Sequence, residues 1–204
     1  MKNLILILAF FVTTIVAAQE ITNEKEHELS YGITIGTNFY NIANNNKADS
    51  FIPENLAPSL VLGVYGEYNF TKNTGVKLDV LYYSKDFLFD IKNTLFKMHF
   101  IDLSANFKYD FGETYREGFY LIGGPKISII TDATSDNEED YKHHFETLNL
   151  GAQLGFGWRV HRYIDIQTKL EYEITPFFKL DNGHNSKFIN AILSANFDLA
   201  RIIN

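Results

Sequence analysis

Alternation between apolar and polar side chains is the dominant pattern of this chain beyond residue 28. In the segment 148–160, every second residue from Leu148 to Val160 is apolar, and the residues between them are polar or glycine. Successive side chains of a strand point to opposite faces of a sheet, so this segment has one apolar face and one polar face. The period of two therefore predicts β-strands, because the apolar positions of an amphipathic helix repeat every 3.6 residues.

The same alternation recurs along the chain with varying regularity. It predicts eight strands, at about 31–39, 60–70, 76–82, 99–111, 119–130, 148–160, 164–174 and 189–199. Alternation is poor around Gly123, Gly124 and Pro125, and such residues inside a strand predict a bend or a bulge there.

The connections between the predicted strands alternate in length. The short ones are 71–74, 112–118 and 161–162, and the long ones are about 40–59, 84–97, 132–147 and 179–187. Short and long connections then lie at opposite ends of the sheet, as in outer-membrane barrels with short periplasmic turns and long external loops. The pattern predicts an all-β fold, an eight-stranded antiparallel up-and-down transmembrane β-barrel.

The direction of the apolar face decides between two kinds of eight-stranded barrel. A soluble lipocalin-like barrel turns this face inward around an apolar ligand, and a membrane barrel turns it toward lipid. Glycines on the polar face, apolar stripes long enough to cross a membrane and aromatic residues near the short turns favour the membrane. The aromatic girdle predicted at the membrane interface consists of Tyr68, Phe70, Tyr109, Phe111, Phe119 and Trp158.

The polar face of a membrane barrel lines its lumen, and here it carries many charged residues. The predicted lumen charge network consists of Glu67, Lys77, Asp79, Asp102, Lys108, Lys126, Arg159, Asp165, Lys169, Glu171 and Glu173, with Asp110 and Asp198 on the same face. Buried charges persist when they are paired or hydrated. The favoured interpretation is a network of salt bridges and water that plugs a narrow lumen, and the alternative is a path for protons or ions.

The N-terminus has the composition of a secretory signal peptide. Lys2 precedes an apolar run from Leu4 to Val12, and the small residues Ala17 and Ala18 follow. These features predict cleavage and export, with a buried N-terminal helix as the alternative. The predicted organisation is a signal peptide at 1–18, a short periplasmic segment at 19–28 and an outer-membrane β-barrel domain at 29–204.

Composition narrows the possible partners and chemistry. The 204 residues include no cysteine, which excludes disulfides, thiol catalysis and cysteine-bound zinc. The formal net charge of −7 argues against nucleic acid as a partner, because phosphate binding needs a basic surface. The mean hydropathy of −0.13 fits a barrel in which every second residue faces lipid. We therefore expect a monomer in contact with outer-membrane lipid, with no nucleic acid, cofactor or metal, and the sequence identifies no protein partner.

Segments spread over residues 29–200 follow the order and spacing of a known family. They are 32–39, 62–84, 101–109, 123–126, 150–172 and 193–199. Together they resemble the PorT-type outer-membrane β-barrel proteins of Bacteroidetes. The resemblance implies an outer-membrane location and implies no reaction, although one branch of the family is linked to the secretion of surface proteases.

Two groups of residues in the long connections have the side chains that enzymatic or metal sites use. His184 and Ser186 form a possible pair for lipid deacylation, although the segment containing them also has the composition of a turn. The connection at about 132–147 contains a histidine pair and acidic residues that could together bind calcium, but their spacing fits no EF-hand loop. The residues considered are His143, His144, Asp136, Glu138 and Asp140.

A solvated acidic loop is the favoured interpretation of that connection, so the sequence predicts no catalytic residue. The predicted function is a non-enzymatic outer-membrane barrel with a structural, adhesive or secretion-accessory role. The alternatives are a soluble lipocalin-like barrel that binds an apolar ligand and a lipid-modifying outer-membrane enzyme.

Overall fold

A computed structural model describes most of the predicted barrel domain. The described residues are 29–44, 51–53, 58–89, 94–112, 118–135, 145–179 and 185–203. The strands are β1 (Leu29–Asn44), β2 (Phe51–Pro53), β3 (Ser59–Asn69), β4 (Thr74–Phe89), β5 (Thr94–Asp110), β6 (Phe119–Ser135), β7 (Leu148–His161), β8 (Ile164–Glu173), β9 (Phe178–Lys179) and β10 (Asn185–Asp198), and one helix, α1 (Leu199–Ile203), follows. The predicted signal peptide and the segment 19–28 lie outside the described residues.

Eight of these strands form a closed antiparallel barrel. Neighbours along the chain pair in the order β1, β3, β4, β5, β6, β7, β8 and β10, and β10 pairs with β1 to close the barrel. The two short strands lie at the end of the long connections, where β2 pairs with β4 and β9 pairs with β10. The predicted eight-stranded antiparallel fold is confirmed.

Several strands extend further toward the long connections than the alternation predicted. β4 continues to Phe89 and β5 begins at Thr94, whereas the prediction placed a loop at about 84–97. The strands were predicted too short because the apolar side chains change from the outer face to the inner face near this end.

The change of faces is clearest in β5. From Ile101 to Phe107 the apolar residues point outward, and the inward positions from Asp102 onward are polar. Nearer the long connections, Phe96 and Phe100 are buried inside the barrel, whereas Lys97 is exposed on its outer face. The inward and outward positions keep their alternation throughout, so only the polarity of each face is exchanged.

A bend or a bulge was predicted around Gly123 and Pro125, whereas the bulge of β6 lies nearer the long connections. The pairing of β5 with β6 shifts between His99 and Phe100, which leaves Thr131 as the extra residue on β6. Around Pro125 the pairing with β5 omits Gly124 and Pro125 but keeps one register on both sides, so the irregularity there is an interruption of the pairing and not a bulge. The irregular alternation has a local cause instead: Pro125 has no N–H to donate, and a Cβ at Gly124 would overlap the carbonyl of Ala105.

The helix α1 follows β10 directly at the end of the barrel that carries the short turns. The Asp198 carboxylate accepts a hydrogen bond from the backbone N–H of Arg201 at 3.2 Å, which is an N-cap interaction. Among the described residues, no helix is long and apolar enough to span a membrane.

Candidate functional site

The lumen is the first candidate site, because the strands direct the predicted charge network into it. All eleven predicted residues point inward, and so do Asp110 and Asp198. Ten of the eleven are buried, and the Arg159 side chain is 7% exposed. From the short turns toward the long connections, these charges form successive clusters across the lumen.

The cluster nearest the short turns joins two bases to two acids. Lys108 Nζ pairs with Glu67 and lies 2.7 Å from Asp110 Oδ2. Arg159 donates to the other Asp110 oxygen, lies 3.4 Å from Glu67 Oε1, and stacks 4.7 Å from the Tyr120 ring centroid. Each acid therefore meets both bases, which offsets the cost of burying all four charges.

The middle cluster surrounds Asp79. Lys169 Nζ lies 3.4 Å from Asp79 Oδ2, and Lys77 Nζ lies 3.7 Å from Asp79 Oδ1. Asn106 donates its amide to Asp79 at 3.0 Å, and Lys77 also donates to Gln167 Oε1 at 2.6 Å. Neutral amides thus complete the hydrogen bonding that the ion pairs leave open.

The third cluster is centred on Lys126. Its Nζ lies 2.7 Å from Asp102 Oδ2 and 2.6 Å from Glu171 Oε2. Tyr83 donates its hydroxyl to Asp102 at 2.5 Å, and Asn190 donates its amide to Glu171 at 3.1 Å. One ammonium group therefore bridges strands β5 and β8 across the lumen.

A buried lysine that the sequence analysis missed lies beyond the third cluster. Lys85 Nζ lies 3.9 Å from Glu173 Oε1, 3.6 Å from the Phe188 ring centroid and 4.4 Å from that of Phe100. These rings supply cation–π attraction to the ammonium group. Lys85 was missed because the predicted strand ended at residue 82, although it continues the inward parity of Lys77.

Aromatic rings fill the lumen next to the long connections. We call this group the aromatic cap, and it consists of Phe87, Phe96, Phe145, Phe177 and Phe188. All five are buried, with Phe177 and Phe188 stacked at 4.1 Å between ring centroids. Within the described part of the chain, paired charges thus occupy the lumen toward the short turns and aromatic rings occupy it toward the long connections.

The outer surface of the barrel is apolar over a defined height. Leu60, Leu154 and Leu170 are 60%, 65% and 65% exposed. The outward apolar residues run from Ile101 on β5 to Phe111, the residue that follows this strand. Ten residue steps of about 3.3 Å inclined by about 40° give a height of about 25 Å. A lipocalin-like barrel would turn this face inward, so the observed direction argues against that alternative.

The six residues of the predicted girdle lie on this outer face beside the short turns. Phe119 and Trp158 stack at 5.6 Å between ring centroids across β6 and β7. Tyr109 contacts Phe111 edge to face at 5.1 Å. Tyr68 and Phe70 form a similar pair at 5.7 Å on the β3 side.

The residues considered for catalysis and metal binding are mostly outside the described residues. These are His184, His143, His144, Asp136, Glu138 and Asp140. Ser186 is described, and its side chain is buried on the inner face of β10, away from external lipid. Over the described ranges, the histidine and acidic side chains form no cluster of three or more that is arranged to hold a metal ion.

The family model described as "Outer membrane protein beta-barrel domain" matches residues 17–179 of the chain. No curated protein matches the sequence.

Two solved structures show a shared barrel fold. The attachment invasion locus protein Ail of Yersinia pestis, solved in complex with the heparin analogue sucrose octasulfate, is 16% identical with a TM-score of 0.54. The Neisserial surface protein A, NspA, is 16% identical with a TM-score of 0.55. Each comparison covers 84% of this chain and 99% of the other.

Proposed function

The chain belongs to the outer membrane protein β-barrel domain family, and on this premise we propose that it is a non-enzymatic anchor that displays its long connections at the cell surface. The observation that carries this proposal is the exchange of polarity along the strands. An outer apolar band of about 25 Å matches the lipid-facing band of outer-membrane barrels. Beyond the band, charged residues face outward and apolar residues face inward, as in a protein domain surrounded by water.

The orientation proposed for the barrel places the short turns in the periplasm. The six girdle residues then lie at the periplasmic interface of the membrane, where aromatic side chains are favoured. Residues 1–18 act as the cleaved export signal and residues 19–28 remain in the periplasm. The eight strands that cross the apolar band leave no edge for pairing with another copy, which supports a monomer surrounded by outer-membrane lipid.

The end beyond the apolar band forms the proposed display platform. The aromatic cap forms an apolar core inside this end of the barrel, as in a protein domain surrounded by water. The connections that leave it include residues 45–50, 54–57, 90–93, 136–144 and 180–184. These segments carry eight acidic against three basic residues.

This charge bears on a possible adhesive role. Ail is named for attachment and was solved with a sulfated heparin analogue. Acidic connections repel such a polyanion, so an adhesive partner of this chain would be cationic or neutral. A structural or secretion-accessory role remains compatible with the same platform. The sequence resemblance supports a PorT-type protein, and no residue marks the branch linked to secretion.

Cell fractionation tests the location of the protein, and conductance measurements test whether its lumen is closed. We expect the protein in the outer-membrane fraction, with N-terminal sequence starting at Gln19 and a faster gel mobility before heating than after it. In planar bilayers the purified barrel should show no steady conductance, because paired charges and the aromatic cap fill its lumen. Recovery as a soluble periplasmic protein would overturn the membrane anchor, and a stable open channel would overturn the closed lumen.

Surface binding tests the proposed adhesive partner. Cells displaying the protein should bind a cationic peptide such as polylysine and leave heparin unbound. A variant in which Asp136, Glu138, Glu139 and Asp140 become Asn or Gln should lose most of the polylysine binding. A matched variant with Glu67→Gln, inside the lumen, should keep it if it folds. Binding of heparin would contradict this assignment. Equal polylysine binding by the wild type and the variant with neutralised loop residues would also contradict it.

A further inference from the structure

The short-turn end of the barrel is basic, and the proposed function gives this charge no role. Among the described residues, the charged side chains that reach the surface at this end are those of Lys72, Arg162 and Arg201. Lys72 lies in the turn between β3 and β4, Arg162 lies in the turn between β7 and β8, and Arg201 lies on α1. The long connections carry an excess of acidic residues, so the two ends of the barrel differ in charge.

Two of these residues, Arg162 and Arg201, lie at one corner of the short-turn end, which we call the arginine corner. Arg201 Nη1 donates to the Arg162 carbonyl oxygen at 3.4 Å, and Arg201 Nε lies 3.8 Å from Asp198 Oδ2. Arg162 is exposed and pairs with no carboxylate among the described residues, and its guanidinium lies 5.4 Å from the Tyr163 ring centroid. Arg162 is therefore the cation of this corner that is open to an external anion.

The carboxylates nearest the arginine corner are buried on the inner face of the barrel. Asp165 is 6% exposed and Asp198 is 5% exposed. Asp198 also accepts the N-cap hydrogen bond of α1, which holds it at the end of β10. Because these acids are turned inward and Arg162 is turned outward, the surface of the corner presents positive charge.

In the proposed orientation, the arginine corner lies at the depth of the lipid phosphate groups. Trp158 of the girdle pairs with Ile166, and Arg162 lies at the tip of the hairpin between them. Four residue steps of about 3.3 Å inclined by about 40° place Arg162 at most about 10 Å nearer the periplasm than Trp158. The headgroup layer extends roughly 5–8 Å beyond the hydrocarbon on each side, and a long arginine side chain can bend back into it.

The helix α1 adds apolar surface beside the two arginines. Ile202 and Ile203 follow Arg201 in the chain and are 55% and 71% exposed. A free phosphate ion would gain nothing from these side chains, whereas a phospholipid has acyl chains next to its phosphate group. Positive charge beside exposed apolar side chains therefore favours a lipid over a soluble anion.

We propose that the arginine corner binds an anionic phospholipid of the periplasmic leaflet, such as phosphatidylglycerol. Arg162 binds the phosphate group, because a guanidinium matches a phosphate through two parallel hydrogen bonds. Arg201 adds positive charge, and Trp158 and Ile202 contact the upper part of the acyl chains. This inference rests on the proposed anchoring function and names the lipid class that one side of the anchor selects.

Quenching of Trp158 fluorescence measures which lipid occupies this side of the barrel, because Trp158 is the single tryptophan of the chain. The folded barrel is placed in vesicles that mix phosphatidylcholine with phosphatidylglycerol, and the quencher bromine is carried on the upper acyl chains of one lipid or of the other. We expect about fivefold stronger binding of phosphatidylglycerol at about 0.1 M salt. The preference should decline at about 1 M salt, which screens the charges. Equal quenching by both lipids at the lower salt concentration would overturn the proposal.

Substitutions locate the site. Arg162→Gln should remove most of the preference, and Arg201→Gln should lower it by about twofold, because Asp198 already pairs with Arg201. Two matched controls each remove one exposed positive charge elsewhere. Lys72→Gln lies at the same end on the opposite side of the barrel, and Lys97→Gln lies on the outer face near the other end. Both controls should keep the preference. An unchanged preference in Arg162→Gln, or an equal loss in Lys72→Gln, would overturn the assignment.

Further measurements separate this inference from the proposed function. Heat-modifiable gel mobility verifies folding of every variant, and if Arg162→Gln does not fold, an unchanged preference in Arg201→Gln would overturn the assignment. Soluble sn-glycerol 3-phosphate should leave the quenching unchanged, and competition by it would overturn a lipid as the ligand. A barrel that inserts without lipid preference would contradict this inference alone, whereas failure to insert into vesicles would overturn the membrane anchor as well.

Discussion

At the scale of single residues, the lumen is organised around ammonium groups, most of which face more than one carboxylate or ring. These are the groups of Lys77, Lys85, Lys108 and Lys126. Lys126 is the strongest case, since it bridges Asp102 and Glu171 within 2.7 Å of both. Each carboxylate receives a further donor, from Tyr83 and Asn190 respectively. Removing the cation leaves two buried carboxylates facing each other, which is far more costly than removing an exposed charge.

We expect Lys126→Met to lower the free energy of unfolding by about 3–5 kcal/mol, because the variant keeps the side-chain volume and loses the charge. Urea unfolding in lipid vesicles, followed through the fluorescence of the single tryptophan, Trp158, measures this change. Lys97→Met on the exposed outer face is the control and should change stability by less than about 0.5 kcal/mol. Equal effects of the two substitutions would show that the bridge contributes nothing specific.

A second residue-scale prediction concerns space inside the barrel. A Cβ at Gly157 would overlap the Tyr120 ring, whose hydroxyl donates to Gln167 at 3.0 Å. Gly157→Ala should therefore displace Tyr120 and cost about 1–3 kcal/mol of stability in the same unfolding experiment. Gly66→Ala is the matched control, because nothing lies within 4 Å of a Cβ built there. A loss at Gly66 as large as that at Gly157 would contradict the steric explanation.

At the scale of elements, the single bulge in the pairing of β5 with β6 lies next to the exchange of polarity. Phe100 pairs with Ile130 and His99 pairs with Asp132, so Thr131 has no residue opposite it. Ile130 and Ala133 both point inward, with two residues between them instead of one. The bulge therefore absorbs one extra residue without exchanging the two faces of β6.

Deletion experiments test this role. Removing Thr131 should leave the faces of β6 unchanged and preserve heat-modifiable gel mobility, because Ile130 and Asp132 then form a regular ladder with β5. Removing Leu103, in the regular part of β5, should abolish that mobility, because one part of that strand would turn its side chains to the wrong face. Tolerance of both deletions, or loss of folding in both, would contradict a special position for Thr131.

At the scale of the whole molecule, the barrel combines a lipid-facing part with a part that has a conventional apolar core. The outer band includes Leu154, which is 65% exposed near the middle of β7, and the band ends where His99 and Asp132 appear on the outer face. The same strands are thus surrounded by lipid in the band and by water beyond it. This division predicts that the effect of an introduced charge depends on its height.

We expect Leu154→Arg to lower the free energy of unfolding in lipid bilayers by about 2–4 kcal/mol, the effect of an arginine at the middle of the membrane. Asp132→Arg, beyond the band, should change it by less than about 0.5 kcal/mol. Measuring both in vesicles, with Trp158 fluorescence as the signal, compares the two heights. Equal changes would contradict the assigned position of the band.

Much of this architecture could be predicted from the sequence, and one physical feature limited the rest. In the lipid band the alternation from Leu148 to Val160 is regular, so the strand and the inward direction of its polar face were evident. Beyond the band, apolar residues such as Phe87 and Phe96 point inward and polar residues point outward. A strand prediction that follows one continuous apolar face therefore stops at the end of the band. Lys85 and the aromatic cap were missed for this reason.

The aromatic cap has a consequence for how the surface of this protein can change over evolutionary time. Because Phe177 and Phe188 stack between the charged part of the lumen and the long connections, the cap separates the buried charges from the remainder of those connections. Insertions, deletions and new charges in the connections should leave the buried ion pairs intact wherever they do not replace the cap residues. The sequences of the connections outside the cap can therefore change while the framework that carries them stays constant.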